Sequence, residues 1–195
     1  MAKKIYQIQV ALKHYRPKIW RRLLVPSDLF LADLHKIIQT AMGWTNSHLH
    51  QFIKDKRFYS KMEPEDELWR SPRIIDYDKN KIRISDLLQA EKEKIIYEYD
   101  FGDGWEHDVI LEKILPFDEN LTYPLCVAGK RHCPPEDCGG PLGYAHMLEV
   151  LKNSKHKEYT MFRDWLRDDF DPDYFNIEEV NKFLRQENYG CLEFY

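Results

Sequence analysis

Tyr97-Glu98-Tyr99-Asp100-Phe101-Gly102-Asp103-Gly104-Trp105-Glu106-His107-Asp108 is the stretch where two alternating runs meet. Ile95 to Phe101 reads as a strand because successive side chains change faces with a period of two, and Trp105 to Leu115 reads as its return. Asp-Gly between such runs is a strong hairpin signal, since glycine takes the positive φ of a tight turn without a Cβ clash. The expectation is therefore a tight turn at Asp103-Gly104. Its flanks also carry chemistry, with Asp100, Asp103, Trp105 and His107 crowded around it.

Upstream, Tyr6, Ile8, Val10 and Leu12 alternate with Ile5, Gln7 and Gln9 in a first strand, and Ile19 to Val25 forms a second after the break at His14-Tyr15-Arg16-Pro17. Pro26-Ser27-Asp28 offers side chains that can cap helix amides. From Phe30 the apolar positions Leu31, Leu34, Ile37, Ile38, Ala41 and Met42 recur at helical spacing, closed by Gly43. His48 to Ile53 reads as a third strand whose even positions, His48 and His50 among them, share a face. Lys56 to Lys81 reads as irregular, with Pro64 and Pro72 as breakers, and Ile84 to Leu88 as a short helical turn. Two strands, a helix, a strand, a short turn and a strand is the order of a β-grasp. The predicted fold class is α+β: a β-grasp (ubiquitin-like) mixed sheet with one packed helix, extended by a β-hairpin and followed by C-terminal helices.

Downstream, Tyr123 to Pro141 reads as a loop rich in proline, with three cysteines and three glycines. Three helical patterns follow it. Pro141 opens the first, with Tyr144, Leu148 and Leu151 on one stripe; Met161, Phe162, Trp165 and Leu166 mark the second. In the third, Asn176 caps, Glu179 closes a capping box, and Val180, Phe183 and Leu184 face inward. The expected organisation is a single domain over 1–195, with the sheet at 1–116, the Cys/Pro loop at 117–141 and a helical extension packed on it at 142–195.

A net charge of −4 argues against a dominant phosphate-binding surface, leaving only a local basic stripe of Arg16, Lys18, Arg21 and Arg22 around Trp20. No apolar run reaches the length of a membrane span, so no membrane partner is expected. Met1-Ala2-Lys3-Lys4-Ile5 runs directly into strand pattern without the apolar core of a signal peptide, and a cytoplasmic location is expected. Reduced thiols are then the expected state of Cys126, Cys133, Cys138 and Cys191.

His48, His50, His107, Cys126 and Cys133 form the sharpest candidate constellation, because zinc takes imidazole and thiolate in tetrahedral array. No Cys-x-x-Cys pair supports it, and the competing reading has histidines bonded to carbonyls and cysteines buried as small apolar residues. Asp100 and Asp103 offer a carboxylate pair for acid–base work or a cation, although Asp103 is favoured as a turn residue bonding nearby amides. Glu136 and Asp137 crest the rigid run Cys133-Pro134-Pro135-Glu136-Asp137-Cys138-Gly139-Gly140-Pro141, which suits either the wall of a site or plain packing. Asp169-Phe170-Asp171-Pro172-Asp173 alternates like a calcium loop but lacks its glycine and its final glutamate, and is read as a solvated turn. Serine elbows, phosphate loops and dinucleotide fingerprints are absent from the sequence.

Leu34-His35-Lys36-Ile37-Ile38-Gln39-Thr40-Ala41-Met42-Gly43-Trp44, His48-Leu49-His50-Gln51-Phe52, Tyr99 through His107, and Cys126 with Gly129 and Cys133 through Pro141 occur in that order. Over almost its whole length the chain resembles the plasmid pRiA4b ORF-three-like family, proteins of plasmids, mobile elements and microbial chromosomes. The resemblance carries over no catalytic residues. Its motif positions here are His48, His50, Asp103, Trp105, His107, Cys126, Cys133, Glu136 and Asp137; the family pattern has valine at Cys138. The leading functional expectation is a binding or accessory module of mobile-element biology, meeting a protein or a nucleic-acid-associated complex through the sheet edge and the proline loop. A metal-dependent or acid–base enzyme using the His/Asp/Cys cluster and a nucleic-acid binder using the basic stripe are the alternatives.

Overall fold

The computed structural model of the chain describes residues 4–62, 71–166 and 170–192; Pro64 and Asp169, singled out above, lie outside them. Strands β1 (Lys4–Leu12) and β2 (Trp20–Pro26) pair antiparallel, with Ile8 opposite Leu23. Alternation sends Tyr6, Ile8, Val10 and Leu12 into the core, while Gln7 and Gln9 bond the Glu112 carboxylate.

Helix α1 (Leu31–Met42) buries the predicted stripe and stops at Gly43, whose φ of 100° lets its N–H return to the Gln39 carbonyl at 2.8 Å. Its start differs from expectation. Neither Ser27 nor Asp28 caps it; Phe30 occupies the cap position and offers no side-chain bond. A distant segment does part of that work, since the Leu31 N–H donates to the Ile82 carbonyl and Phe30 bridges to Arg83.

The stretch read as irregular holds two strands. After β3 (His50–Lys54) the chain reverses into β4 (Arg57–Ser60), and β5 (Ile74–Asp76) joins β4 in parallel. The reversal uses Asp55 and Lys56 at φ 49° and 63°, the backbone of a type I′ turn without the Asn-Gly that announces one.

Helix α2 (Ile84–Leu87) leads to β6 (Lys94–Tyr99) and β7 (Trp105–Pro116). Tyr99 pairs with Trp105, so the connection runs from Asp100 to Gly104 and is longer than the tight turn predicted. Gly104 has the expected positive φ of 68°, and its N–H closes the loop on the Asp100 carbonyl at 2.7 Å. Asp100 starts the turn early because it too takes positive φ, 56°, and its Oδ1 accepts from the amides of Gly102 (3.0 Å) and Asp103 (3.3 Å). The turn-aspartate role assigned to Asp103 therefore belongs to Asp100.

Strand β8 (Leu125–Lys130) lies inside the predicted loop and pairs with β2. Helices α3 (Gly140–Leu151), α4 (Tyr159–Trp165) and α5 (Ile177–Leu184) follow. Asn176 caps α5 as predicted, but the Glu179 carboxylate accepts from the Tyr174 hydroxyl and Phe183 is half exposed. Among the described residues the architecture is α+β, with five helices and one open mixed sheet ordered β5-β4-β3-β6-β7-β1-β2-β8, parallel only at β4–β5. Ile8, Val10, Leu23, Leu34, Ile38, Phe52 and Tyr99 share one buried cluster with Tyr144, Met147, Leu166 and Leu184 from the C-terminal part. No helix among the described residues is long and apolar enough to cross a membrane.

Candidate functional site

Three segments remote in sequence meet at the β6–β7 turn. The first is Trp44 to Leu49, leaving α1; the second is Asp100 to Gly104; the third is the proline loop before α3. The Trp44 indole donates to the Pro134 carbonyl at 3.0 Å, and the Asp103 carboxylate accepts from the Gly139 N–H at 3.2 Å. Gly140 presses close beneath the turn, where a Cβ would lie 2.2 Å from the Asp103 carbonyl oxygen. Asp100 N–H donates to the Leu49 carbonyl at 2.9 Å, tying the turn to the segment before β3.

Glu136 is the hub of the contact. Its carboxylate accepts from the Tyr99 hydroxyl, from the Thr45 hydroxyl and from the Thr45 N–H at 3.2 Å. The Ser47 N–H donates to the Tyr99 oxygen at 3.0 Å, which holds the phenol from its other side. Burial, reinforced by the Glu136 carboxylate, pushes the Tyr99 phenol well above its usual range. Tyr99 is thus a neutral donor that orders the loop. Sequence reasoning did not name Tyr99, Trp44, Thr45 or Ser47 as site residues, although Trp44 and Tyr99 stand in the stretches that carry the family resemblance.

The predicted metal ligands separate. His48 Nε2 lies 3.3 Å from Asp137 Oδ1 and 3.7 Å from Asp100 Oδ2. His50 instead bonds the Tyr77 hydroxyl at 2.7 Å and stacks on His35 at 3.4 Å between ring centroids. His35 in turn bonds Tyr97 and Asn46, and burial pulls its imidazole down to about 4. His107 is sealed under Trp44, its Nδ1 3.3 Å from the Tyr97 carbonyl, and burial likewise lowers it to about 4. Trp105 is fully buried beside Trp44. Cys126 belongs to β8, where Asn181 of α5 clasps its backbone. Cys133 is buried at the base of the proline loop. His48, His50, His107, Cys126 and Cys133 therefore do not make one ligand set, because the sheet spreads them among separate polar contacts.

Burial raises all three loop and edge thiols: Cys126 to about 11, Cys138 to about 12, and Cys133 well above its ordinary value. They are protonated thiols rather than poised nucleophiles. The basic stripe is also largely committed. Arg21 is buried and donates to the carbonyls of Ala41 and Lys130, whereas Arg22 grips the Glu112 carboxylate on the opposite face. Lys18 bonds Gln9 at 2.5 Å. Of the acidic alternation near the C-terminus, Asp171 accepts from the Asp173 N–H and Asp173 pairs with Arg131, a turn as predicted.

Two similar proteins match this chain along most of its length. The crystal structure of MM3350 from Methanosarcina mazei Go1, described as a protein of unknown function, matches with a TM-score of 0.81 at 40% identity, covering 92% of this chain and 99% of that one. Uncharacterized protein y4hQ of Sinorhizobium fredii (strain NBRC 101917 / NGR234) is 35% identical over 185 residues, which is 93% of this chain and 91% of y4hQ. Neither name assigns an activity. A model of the plasmid pRiA4b ORF-3-like protein family matches residues 4–179, from β1 into α5 and across the whole meeting point of the three segments; the chain belongs to that family.

Proposed function

We propose that this protein is a binding or accessory module of plasmid or mobile-element biology that receives a partner protein around the β6–β7 turn. One observation carries the reading. Leu49 and Phe101 on two of the segments that meet there, and Leu142 in the first turn of α3 just past the third, are 73%, 49% and 85% exposed. Large apolar side chains on a rigid, polar-bonded base are the composition of a recognition surface. Asp103 and Glu136 lie among them in a chain of net charge −4, so the partner segment is one that combines apolar side chains with a lysine or arginine. The sheet edge at β8 is less suited to the task than the sequence suggested, because Asn181 already occupies the backbone groups of Cys126.

We read the sheet as a β-grasp with one strand intercalated. Without β7 and the edge strands β5 and β8 the order is β4-β3-β6-β1-β2, with α1 between β2 and β3 in sequence; β6 and β1 run parallel, since each is antiparallel to β7. We also read the chain as one domain, supported by the shared buried cluster, and place it in the cytoplasm, a location that suits four cysteines with no disulfide.

Selection from a random-peptide display library tests the function. Enriched peptides are expected to carry a basic residue flanked by apolar ones, and to lose binding to a Leu49→Ser/Phe101→Ser variant. Selected peptides that bind this variant as well as the parent, or a selection without enrichment, would remove the reading.

A further inference from the structure

We propose that His48, Asp100 and Asp137 form a binding site for a divalent transition-metal ion such as zinc. The three residues come from the three segments that meet at the turn. Among the described residues they are the one group of His, Cys, Asp and Glu whose candidate ligand atoms all lie within 4.8 Å of one another.

The spacing is that of ligands around an ion. Metal–ligand distances of about 2.0–2.2 Å in a tetrahedral site place neighbouring ligand atoms about 3.3–3.6 Å apart. His48 Nε2 stands 3.3 Å from Asp137 Oδ1 and 3.7 Å from Asp100 Oδ2. The same nitrogen is shut off from water and makes no hydrogen bond. A ring nitrogen shut off from water that faces two carboxylates without a hydrogen bond is uncommon, and a cation between them would satisfy all three groups.

Donor chemistry narrows the class of ion. Calcium and magnesium take oxygen ligands, whereas an imidazole with two carboxylates suits zinc and its first-row neighbours. The site is also oriented before any ion arrives. The Gly102 and Asp103 amides hold Asp100 Oδ1, which leaves Oδ2 toward His48. Three protein ligands leave a coordination position for water or for a donor atom of a partner. The set takes His48 from the zinc ligands expected from sequence and Asp100 from the expected carboxylate pair, and adds Asp137 as a ligand. It does not rest on the partner reading, since zinc alone tests it.

The competing arrangement is a protonated His48 bridging both carboxylates as a plain ion pair, and the two are separated by calorimetric titration of the chelator-treated full chain with zinc chloride at pH 7.5. One equivalent of zinc is expected to bind. Asp137→Asn should weaken binding at least tenfold while leaving the metal-free melting temperature unchanged, because Asp137 is 74% exposed and asparagine tolerates its φ of 60°. His48→Gln should weaken it similarly, and Asp103→Asn should not. Absence of zinc binding by the parent chain, or magnesium binding of equal strength, would overturn the proposal. So would zinc binding that survives both substitutions; the His146, His156 and Glu158 group would be its holder in that event.

Discussion

Gly140 and Gly104 both have a φ of 68°, yet they answer to different constraints. At Gly140 a Cβ would meet the Asp103 carbonyl at 2.2 Å, so Gly140→Ala must lift the proline loop off the turn. At Gly104 nothing lies within 4 Å, so only backbone conformation resists substitution. Gly104→Val should therefore lower the urea midpoint clearly more than Gly104→Asn, because asparagine enters the left-handed region more readily. Leu34 on α1 is wholly buried, and Leu34→Ala should cost about 2–5 kcal/mol in the same measurement. A change below 1 kcal/mol would mean that the helix does not press on the sheet there. Sequence marked Gly104 and Leu34 through local rules of turn and periodicity. It misassigned the turn bonds between Asp100 and Asp103, since either carboxylate can reach nearby amides and only the registry of Tyr99 with Trp105 selects Asp100.

Strand β8 is an edge, and α5 closes part of it with one side chain. Asn181 Oδ1 accepts from the Cys126 N–H at 2.7 Å while its Nδ2 donates to the Cys126 carbonyl at 2.8 Å, as a paired strand would. Asn181→Leu leaves both backbone groups without partners and should cost about 1–3 kcal/mol in urea unfolding. A freed edge also invites pairing with a second copy, so concentration-dependent elution in size-exclusion chromatography is expected of this variant alone. Elements with strong local signatures were readable from sequence: the α1 stripe, the β6–β7 hairpin, the Asn176 cap. β4, β5 and β8 were not: the β3–β4 turn at Asp55-Lys56 carries no glycine or asparagine, and β8 is held by β2 from far up the chain.

At the scale of the whole molecule, stability should depend on pH through imidazoles held neutral inside. Burial lowers His35 and His107 from 6.5 to about 4 in the folded chain, so the unfolded chain binds protons first as pH falls. Their contribution is complete above 6.5, declines between 6.5 and about 4, and changes little below that, amounting to on the order of a few kcal/mol. Urea unfolding across that window should show the decline, and His35→Gln should make it shallower; an unchanged slope would show that His35 titrates normally. What the sequence by itself determined was the class of fold and the chemistry-bearing stretches, because strand alternation, helical spacing and glycine turns act over a few residues. Which of those side chains meet was decided by the tertiary structure alone. His48 and His50 are two residues apart, yet one faces Asp100 and Asp137 while the other stacks on His35 of α1. Cys126 and Cys133 are seven apart, yet one belongs to a strand clasped by α5 and the other is buried at the base of the proline loop. Such partnerships depend on strand order and on contacts between segments dozens of residues apart, and no local spacing encodes either.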